Sequence, residues 1–249
     1  MSDAERQRIS AIAHAESLMW GPIGEETVAE ITALAGLHGI GDSSRVLDLG
    51  CGPAELLRRI CEATGASGTG VDASPFALTE ARRRLAGSPA RDRIELRLAD
   101  ATAFEARDED LVLCIGPGWK SGGWRALADW ASGFVTPGGL LLLGEGAWRG
   151  DPPPDALARI EMRAEDYLPS ADVPDAVAAT GATIIWSRLA TGEEWATYAD
   201  DYRAALRSFA RDHPADPVTP ALLERAEAGW AEYETLHELL DFVIVLATA

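Results

Sequence analysis

The stretch Val46-Leu-Asp-Leu-Gly-Cys-Gly52 ends an apolar run in a glycine pair. Glycine lets the backbone turn tightly and lets a ligand approach, because it has no Cβ. Asp72 closes the next apolar run, within Gly70-Val-Asp-Ala-Ser74, about where an acid holds ribose hydroxyls in nucleoside-binding sheets. Asp100 closes the third run, in position to receive an adenine amino group. Two nucleoside cofactors compete for such a site. A nicotinamide dinucleotide carries an anionic pyrophosphate and wants G-x-G-x-x-G. Here Glu55 takes the third glycine's place and Asp48 precedes the turn, and both carboxylates repel pyrophosphate. S-adenosylmethionine carries a sulfonium and an ammonium group and no phosphate, so the same carboxylates favour it. The charge pattern selects S-adenosylmethionine.

These residues resemble the class I S-adenosylmethionine-dependent methyltransferases. The glycine motif of that family matches Asp48, Gly50 and Gly52, its ribose-binding acid matches Asp72, and the acid before its adenine contact matches Asp100-Ala101. Its P-G-G turn before the fifth strand matches Pro137-Gly-Gly139. The resemblance is firm over about residues 43–147 and loose elsewhere. It implies that Gly50, Cys51 and Gly52 contact the methionine part and nearby ribose, with Asp72 and Ala73 at the ribose and Asp100 and Ala101 at the adenine. It also implies that Cys114, Ile115 and Gly116, after the fourth strand, line the reaction site. The fold it implies is α/β: a doubly wound, Rossmann-like, seven-stranded sheet. The strands are mostly parallel with the last antiparallel, helices cover both faces, and the final strand pair usually forms a hairpin. Here about fifty residues intervene in that pair, a departure that looks like a substrate lid.

Methyl transfer is an in-line displacement, for which the enzyme aligns the nucleophile and excludes water. A base is needed only where the nucleophile must lose a proton. His14 and Glu145 are the candidates. His14 precedes Met19-Trp-Gly-Pro22, and that segment, with Trp20, is expected to fold over the cofactor. Eight tryptophans stand against five phenylalanines, and an aromatic cage suits a planar or cationic small molecule. Trp119, Trp148, Tyr198 and Tyr202 are the expected substrate contacts; the two tyrosines, four apart, share one helix face. The loop after strand four, Cys114-Ile-Gly-Pro-Gly-Trp-Lys-Ser-Gly-Gly-Trp124, lacks the Asn/Asp-Pro-Pro-aromatic motif that grips amino groups of bases or glutamine. It holds the chain's one lysine, Lys120. No metal is expected.

The elements that must position these residues follow from periodicity. Apolar runs at 45–49, 68–71, 94–98, 111–115 and 140–143 alternate with helical patterns, as in βαβ units with a parallel sheet. A strand at 182–189, helical stretches at 193–212 and 220–239, and a last strand at 242–247 complete the chain. This predicts an N-terminal helical lid over residues 1–42, a sheet domain over 43–190 and 241–249, and a helical insertion over 191–240 that acts as a substrate lid. The 249 residues carry a net charge of −18, which opposes phosphate backbones and therefore a nucleic-acid substrate. No apolar run is long enough to span a membrane, the N-terminus lacks a signal's apolar core, and three scattered cysteines make no disulfide framework. A cytoplasmic methyltransferase of small molecules, acting on oxygen, nitrogen or carbon, is the expectation. The alternatives are a non-catalytic module that binds S-adenosylmethionine or its demethylated product and acts through a partner, or a protein methyltransferase. Oligomeric state is open.

Overall fold

The structure is a computed structural model; it describes residues 1–116, 123–160, 162–227 and 230–249, and only the backbone of 231–233. The expected strands form one seven-stranded sheet. β1 (Arg45–Leu49), β2 (Ser67–Asp72), β3 (Ile94–Leu98), β4 (Glu109–Ile115), β5 (Val135–Trp148), β6 (Thr183–Leu189) and β7 (Leu240–Thr248) lie in the order β3-β2-β1-β4-β5-β7-β6. The pairs from β3 to β5 are parallel, and β7 is antiparallel to both its neighbours. Chain order reverses between β1 and β4. In doubly wound sheets the ligand crevice opens at that switch point, outside the carboxyl ends of the strands. Asp48, Asp72 and Asp100 are therefore carried to one edge by the winding itself.

The central strands are apolar almost throughout because both faces are covered. On one face α2 (Glu25–Leu37), α3 (Glu55–Thr64) and α4 (Pro75–Leu85) bury Val28, Ile31, Leu57, Ile60 and Leu78. On the other, α5 (Gly123–Ser132) and α7 (Val173–Ala178) bury Trp124, Leu127, Val173 and Val177. α4 starts as its sequence predicts: Ser74 Oγ accepts the Ala77 N–H at 3.3 Å and Pro75 follows.

Beyond the strand ends, α1 (Asp3–Ala13), α8 (Gly192–Asp212) and α9 (Thr219–Glu227) share a small separate core of Ile9, Ala13, Leu206, Val218 and Leu222. α10 (Trp230–Leu239) leads into β7. Within residues 1–42, then, α1 joins the insertion helices while α2 belongs to the helical layer on the sheet.

Three elements differ from expectation. Pro137-Gly-Gly139 is an irregularity inside β5 rather than a loop: Gly138 takes a φ of +79° and donates to the Ala249 carbonyl at 2.9 Å, while the register against β4 slips between Glu109 and Leu111. β5 also runs on to Trp148 because β7 pairs with it from Leu140 to Trp148. The helical stretch expected at 220–239 is two helices, and a short helix, α6 (Pro154–Arg159), starts at the last proline of the triple-proline loop, where proline's missing N–H costs nothing.

Candidate functional site

A cavity of about 600 Å³ opens over the ends of β1, β2 and β4. Gly50, Gly52, Asp72, Ala73, Asp100, Ala101, Ile115 and Gly116 line it, so nine of the expected cofactor contacts, Trp20 included, meet on one wall system. Gly50 and Gly52 sit at φ +78° and +53°, the left-handed region that side chains resist. The Gly50 and Cys51 N–H groups donate to the Val71 carbonyl at 2.8 and 3.0 Å, which folds the turn back onto β2. Asp72 Oδ2 accepts the Gly52 N–H at 2.9 Å and Oδ1 accepts the Ser74 N–H at 2.7 Å. A carboxylate offers about four lone-pair sites, so two remain for ribose hydroxyls. Asp100 Oδ1 accepts the Thr102 N–H at 2.8 Å, which holds that carboxyl at the cavity rim.

The two acids at the turn lose solvent and repel each other. Burial pushes Asp48 up to about 8, with the nearby Asp72 charge adding to it, and burial also raises Asp72 despite its two backbone donors. Asp72 lines the cavity, while Asp48, expected as a contact, is buried behind the turn and does not line it; the two acids leave the site short of positive charge. The site fits a sulfonium and an ammonium group better than a pyrophosphate.

The expected N-terminal lid brings two residues the sequence reading did not single out, Gln7 and Ser10. Gln7, Ser10 and His14, three and four residues apart on one face of α1, close the cavity from above. Gln7 Nε2 donates to the Ala73 carbonyl at 3.4 Å. The spacing of these three was visible in the sequence, but the direction in which that face points was not.

Trp20 stands between this cavity and a second one of about 600 Å³, and lines both. Its ring covers Gly52, where an added Cβ would lie 3.7 Å away, and it stacks on His14 with centroids 5.2 Å apart. Its Nε1 is buried with no hydrogen-bond partner among the described residues. An unpaired buried donor costs roughly 1–3 kcal/mol, and a ligand acceptor would recover that.

The second cavity is walled by Tyr167, Trp195, Tyr198, Tyr202, Trp230 and Phe242, with Glu145 and Arg225 as its charged groups. Two of the expected substrate contacts, Tyr198 and Tyr202, are there with Glu145, one expected catalytic group; the other, His14, lines the cofactor cavity and reaches this one through Tyr198. His14 Nδ1 lies 2.7 Å from the Ser10 carbonyl, which can only accept, so Nδ1 carries the proton. Nε2 then accepts from the Tyr198 hydroxyl at 2.8 Å. Burial pushes His14 down to about 4, leaving the ring neutral. Burial acts the opposite way on Glu145, whose carboxyl is raised above its ordinary range, although Oε1 accepts the Gly146 N–H at 2.7 Å.

Three expectations change. Trp148 does not line the cavity: it is 1 % exposed, its Nε1 donates to the Ala164 carbonyl at 2.8 Å, and Tyr167 stands between the core and the cavity in its place. Trp148 shares its face of β5 with Gly146, and the Tyr167 ring, edge-on to Trp148 at 5.5 Å, covers it from the cavity. Cys51 turns its thiol into the core against Gly70, so only its backbone belongs to the turn. Glu55 does not face the ligand: it is buried against Arg58 and Arg59 at 2.6 and 2.8 Å, and its charge is spent there. The case against a pyrophosphate rests on Asp48 and Asp72 alone. Trp119 and Lys120 lie outside the described residues. Among the described residues no three His, Cys, Asp or Glu side chains gather as metal ligands.

Comparison with known proteins gives a family match over part of the chain. Residues 46–139 match the family model described as "Methyltransferase domain". The chain is similar to an uncharacterised Escherichia coli protein, YjhP, at 27 % identity over 212 residues, 84 % of each chain. It is similar to a demethylmenaquinone methyltransferase of Desulfitobacterium hafniense at 35 % identity over 105 residues, 39 % of this chain and 40 % of that one. Among solved structures, a Thiobacillus denitrificans S-adenosylmethionine-dependent methyltransferase in complex with S-adenosylhomocysteine superposes with a TM-score of 0.86 at 24 % identity, over 97 % of this chain and 98 % of that one.

Proposed function

We propose that this chain, whose residues 46–139 match a methyltransferase domain, is a class I enzyme that moves the methyl group of S-adenosylmethionine to an oxygen, nitrogen or carbon of a small molecule. The observation that carries the reading is the pair of cavities meeting at Trp20: one built for a cationic nucleoside, the other walled by aromatic rings. A cavity of that size and lining suits a compact, largely apolar ligand rather than a polymer. The opposing net charge of −18 argues the same way against nucleic acid.

S-adenosylmethionine, when bound, supplies an electrophilic methyl on a sulfonium. In this reading Asp72 holds the ribose, Asp100 and Ala101 flank the adenine, and the Gly50–Gly52 turn with Asp48 receives the methionine part. α1 and the insertion helices act as the lid that excludes water. Of the two candidate bases, Glu145 is the better matched to neutral pH, because burial strengthens its basicity and weakens that of His14. We assign Glu145 as the group that takes a proton from the nucleophile where one must leave. His14 orients the Tyr198 hydroxyl on the wall of the aromatic cavity.

Calorimetry with S-adenosylmethionine, S-adenosylhomocysteine and NAD tests the cofactor. Binding of the first two without NAD is expected, and Asp72→Ala should weaken it about tenfold to hundredfold, the cost of charge-assisted hydrogen bonds. Binding of NAD alone would overturn the reading. With an acceptor in hand, Glu145→Gln should lower kcat with the cofactor Kd unchanged; full turnover in that variant would remove Glu145 from the reaction.

A further inference from the structure

The lid helices carry a cation that the methyl-transfer reading has not used. The arginines of α8 are committed to carboxylates: Arg203 and Arg207 to Glu227 at 3.8 and 2.6 Å, and Arg211 to Asp212 at 2.9 Å. Arg8 of α1 takes Asp216 at 2.6 Å. Arg225, on α9, has no carboxylate partner among the described residues. Its guanidinium lies 5.6 Å from the centroid of the Tyr202 ring, and Arg225 lines the aromatic cavity as its one cationic side chain among the described lining residues. As an exposed residue on a cavity wall it stands at the mouth. Its charge reaches inward: after burial, it is a further cause of the lowered His14 value, and it partly offsets the burial that raises the Tyr202 hydroxyl.

The chain carries a net charge of −18, yet among the described residues no acid pairs with this arginine, which lines an aromatic cavity. The one acid on the same wall, Glu145, sits at the inner end beside Gly144, which pairs with Ile115 of β4, and it accepts from its own Gly146 N–H. A ligand bearing an ammonium group would meet Arg225 at the mouth and be repelled. An anionic group would find a planar fork of donors suited to a carboxylate. The rest of the wall, from Tyr167 and Trp195 to Leu236 and Phe242, offers apolar surface for the body of the molecule.

We propose that the methyl acceptor is a small carboxylic acid with a largely apolar or aromatic body, its carboxylate held by Arg225 at the mouth and its nucleophilic atom directed past Trp20 toward the cofactor cavity. The proposal rests on the methyltransferase reading and narrows it. It also turns the aromatic wall away from the cationic ligands for which such cages are often used.

The test uses the full chain saturated with S-adenosylhomocysteine. Tryptophan fluorescence is titrated with hydroxyphenylacetate, hydroxycinnamate and octanoate, each beside its primary amide and its amine analogue. At least one acid should bind about tenfold or more tighter than its amide, the value of a hydrogen bond to a charged group. Added salt should weaken that acid, and Arg225→Gln should bring it to the level of the amide. S-adenosylhomocysteine affinity should not change in that variant, since Arg225 lies outside the cofactor cavity. Amides or amines binding as well as the acids would overturn the proposal, as would an acid preference that survives Arg225→Gln, or no binding by any of the set. If S-adenosylhomocysteine itself fails to bind, the methyltransferase reading falls, and that outcome is read separately.

Discussion

Asp48 has the sharpest consequence at the scale of a single residue. Its carboxyl is buried and pushed up to about 8 from an ordinary 3.8. Between those values the native state keeps a proton that the unfolded chain has lost. Stability therefore falls as pH rises through that window, and ionising Asp48 in the ligand-free protein is the cost. Asp48→Asn removes the cost. Its melting temperature should exceed that of the parent by a margin that grows from about pH 5 to about pH 9, while its affinity for S-adenosylmethionine falls. A margin independent of pH, read by thermal melts across that range, would show that Asp48 titrates normally. His14 carries the opposite sign. Held near 4, it costs stability as pH falls below the ordinary 6.5, because the unfolded chain then takes the proton first. The acids at the turn were legible from their places at strand ends; their displaced titration was not, because it comes from the burial that packing imposes.

Among the elements, the join between α2 and α8 is concentrated in Glu194. It completes a capping box with Thr191, accepting the Thr191 N–H at 2.8 Å. It also accepts the Gly24 N–H at 2.9 Å and the Thr27 hydroxyl, and it pairs with Arg188 at 3.2 Å. The largest influence on its acidity is burial, which raises it, but these partners together leave it below the ordinary glutamate range. Glu194→Ala strands several part-buried donors at once, each worth about a kcal/mol or more. A loss of roughly 2–3 kcal/mol in denaturant melts is expected, against well under 1 kcal/mol for breaking the exposed Arg163–Asp166 pair. Equal effects of the two changes would show that the join is only a surface contact. The capping box Thr191-x-x-Glu194 could be read in the sequence. That its glutamate also fastens the start of α2 could not, since the partners are 167 and 170 residues away.

For the whole molecule, two cores with different neighbours imply two stabilities. The sheet core is large and covered on both faces, while the core of α1, α8 and α9 is small and meets the sheet core mainly through Trp195 of α8. Small cores with few apolar contacts open at lower free energy. Hydrogen exchange should therefore release the amides of α1, α8 and α9 before those of β1, β4 and β5. S-adenosylhomocysteine should slow α1 most among these helices, because Gln7, Ser10 and His14 close over its cavity. A single exchange rate for cap and sheet, unmoved by ligand, would mean that the helices are one unit with the core and gate nothing.

The sequence by itself determined the sheet and the cofactor end of the site. Alternating apolar runs and helices force a parallel winding, and that winding carries Asp48, Gly50, Gly52, Asp72 and Asp100 to one edge whatever the side chains do. Only the tertiary structure decided which way the other side chains face. Glu55 found Arg58 and Arg59 one helical turn along, Trp148 was buried beneath Tyr167, and Arg225 met Tyr202 across the lid. Residue type and spacing limit such choices, but packing between elements distant in sequence makes them. The acceptor side, built from β5, α1 and the insertion helices together, is made almost wholly of choices of that kind.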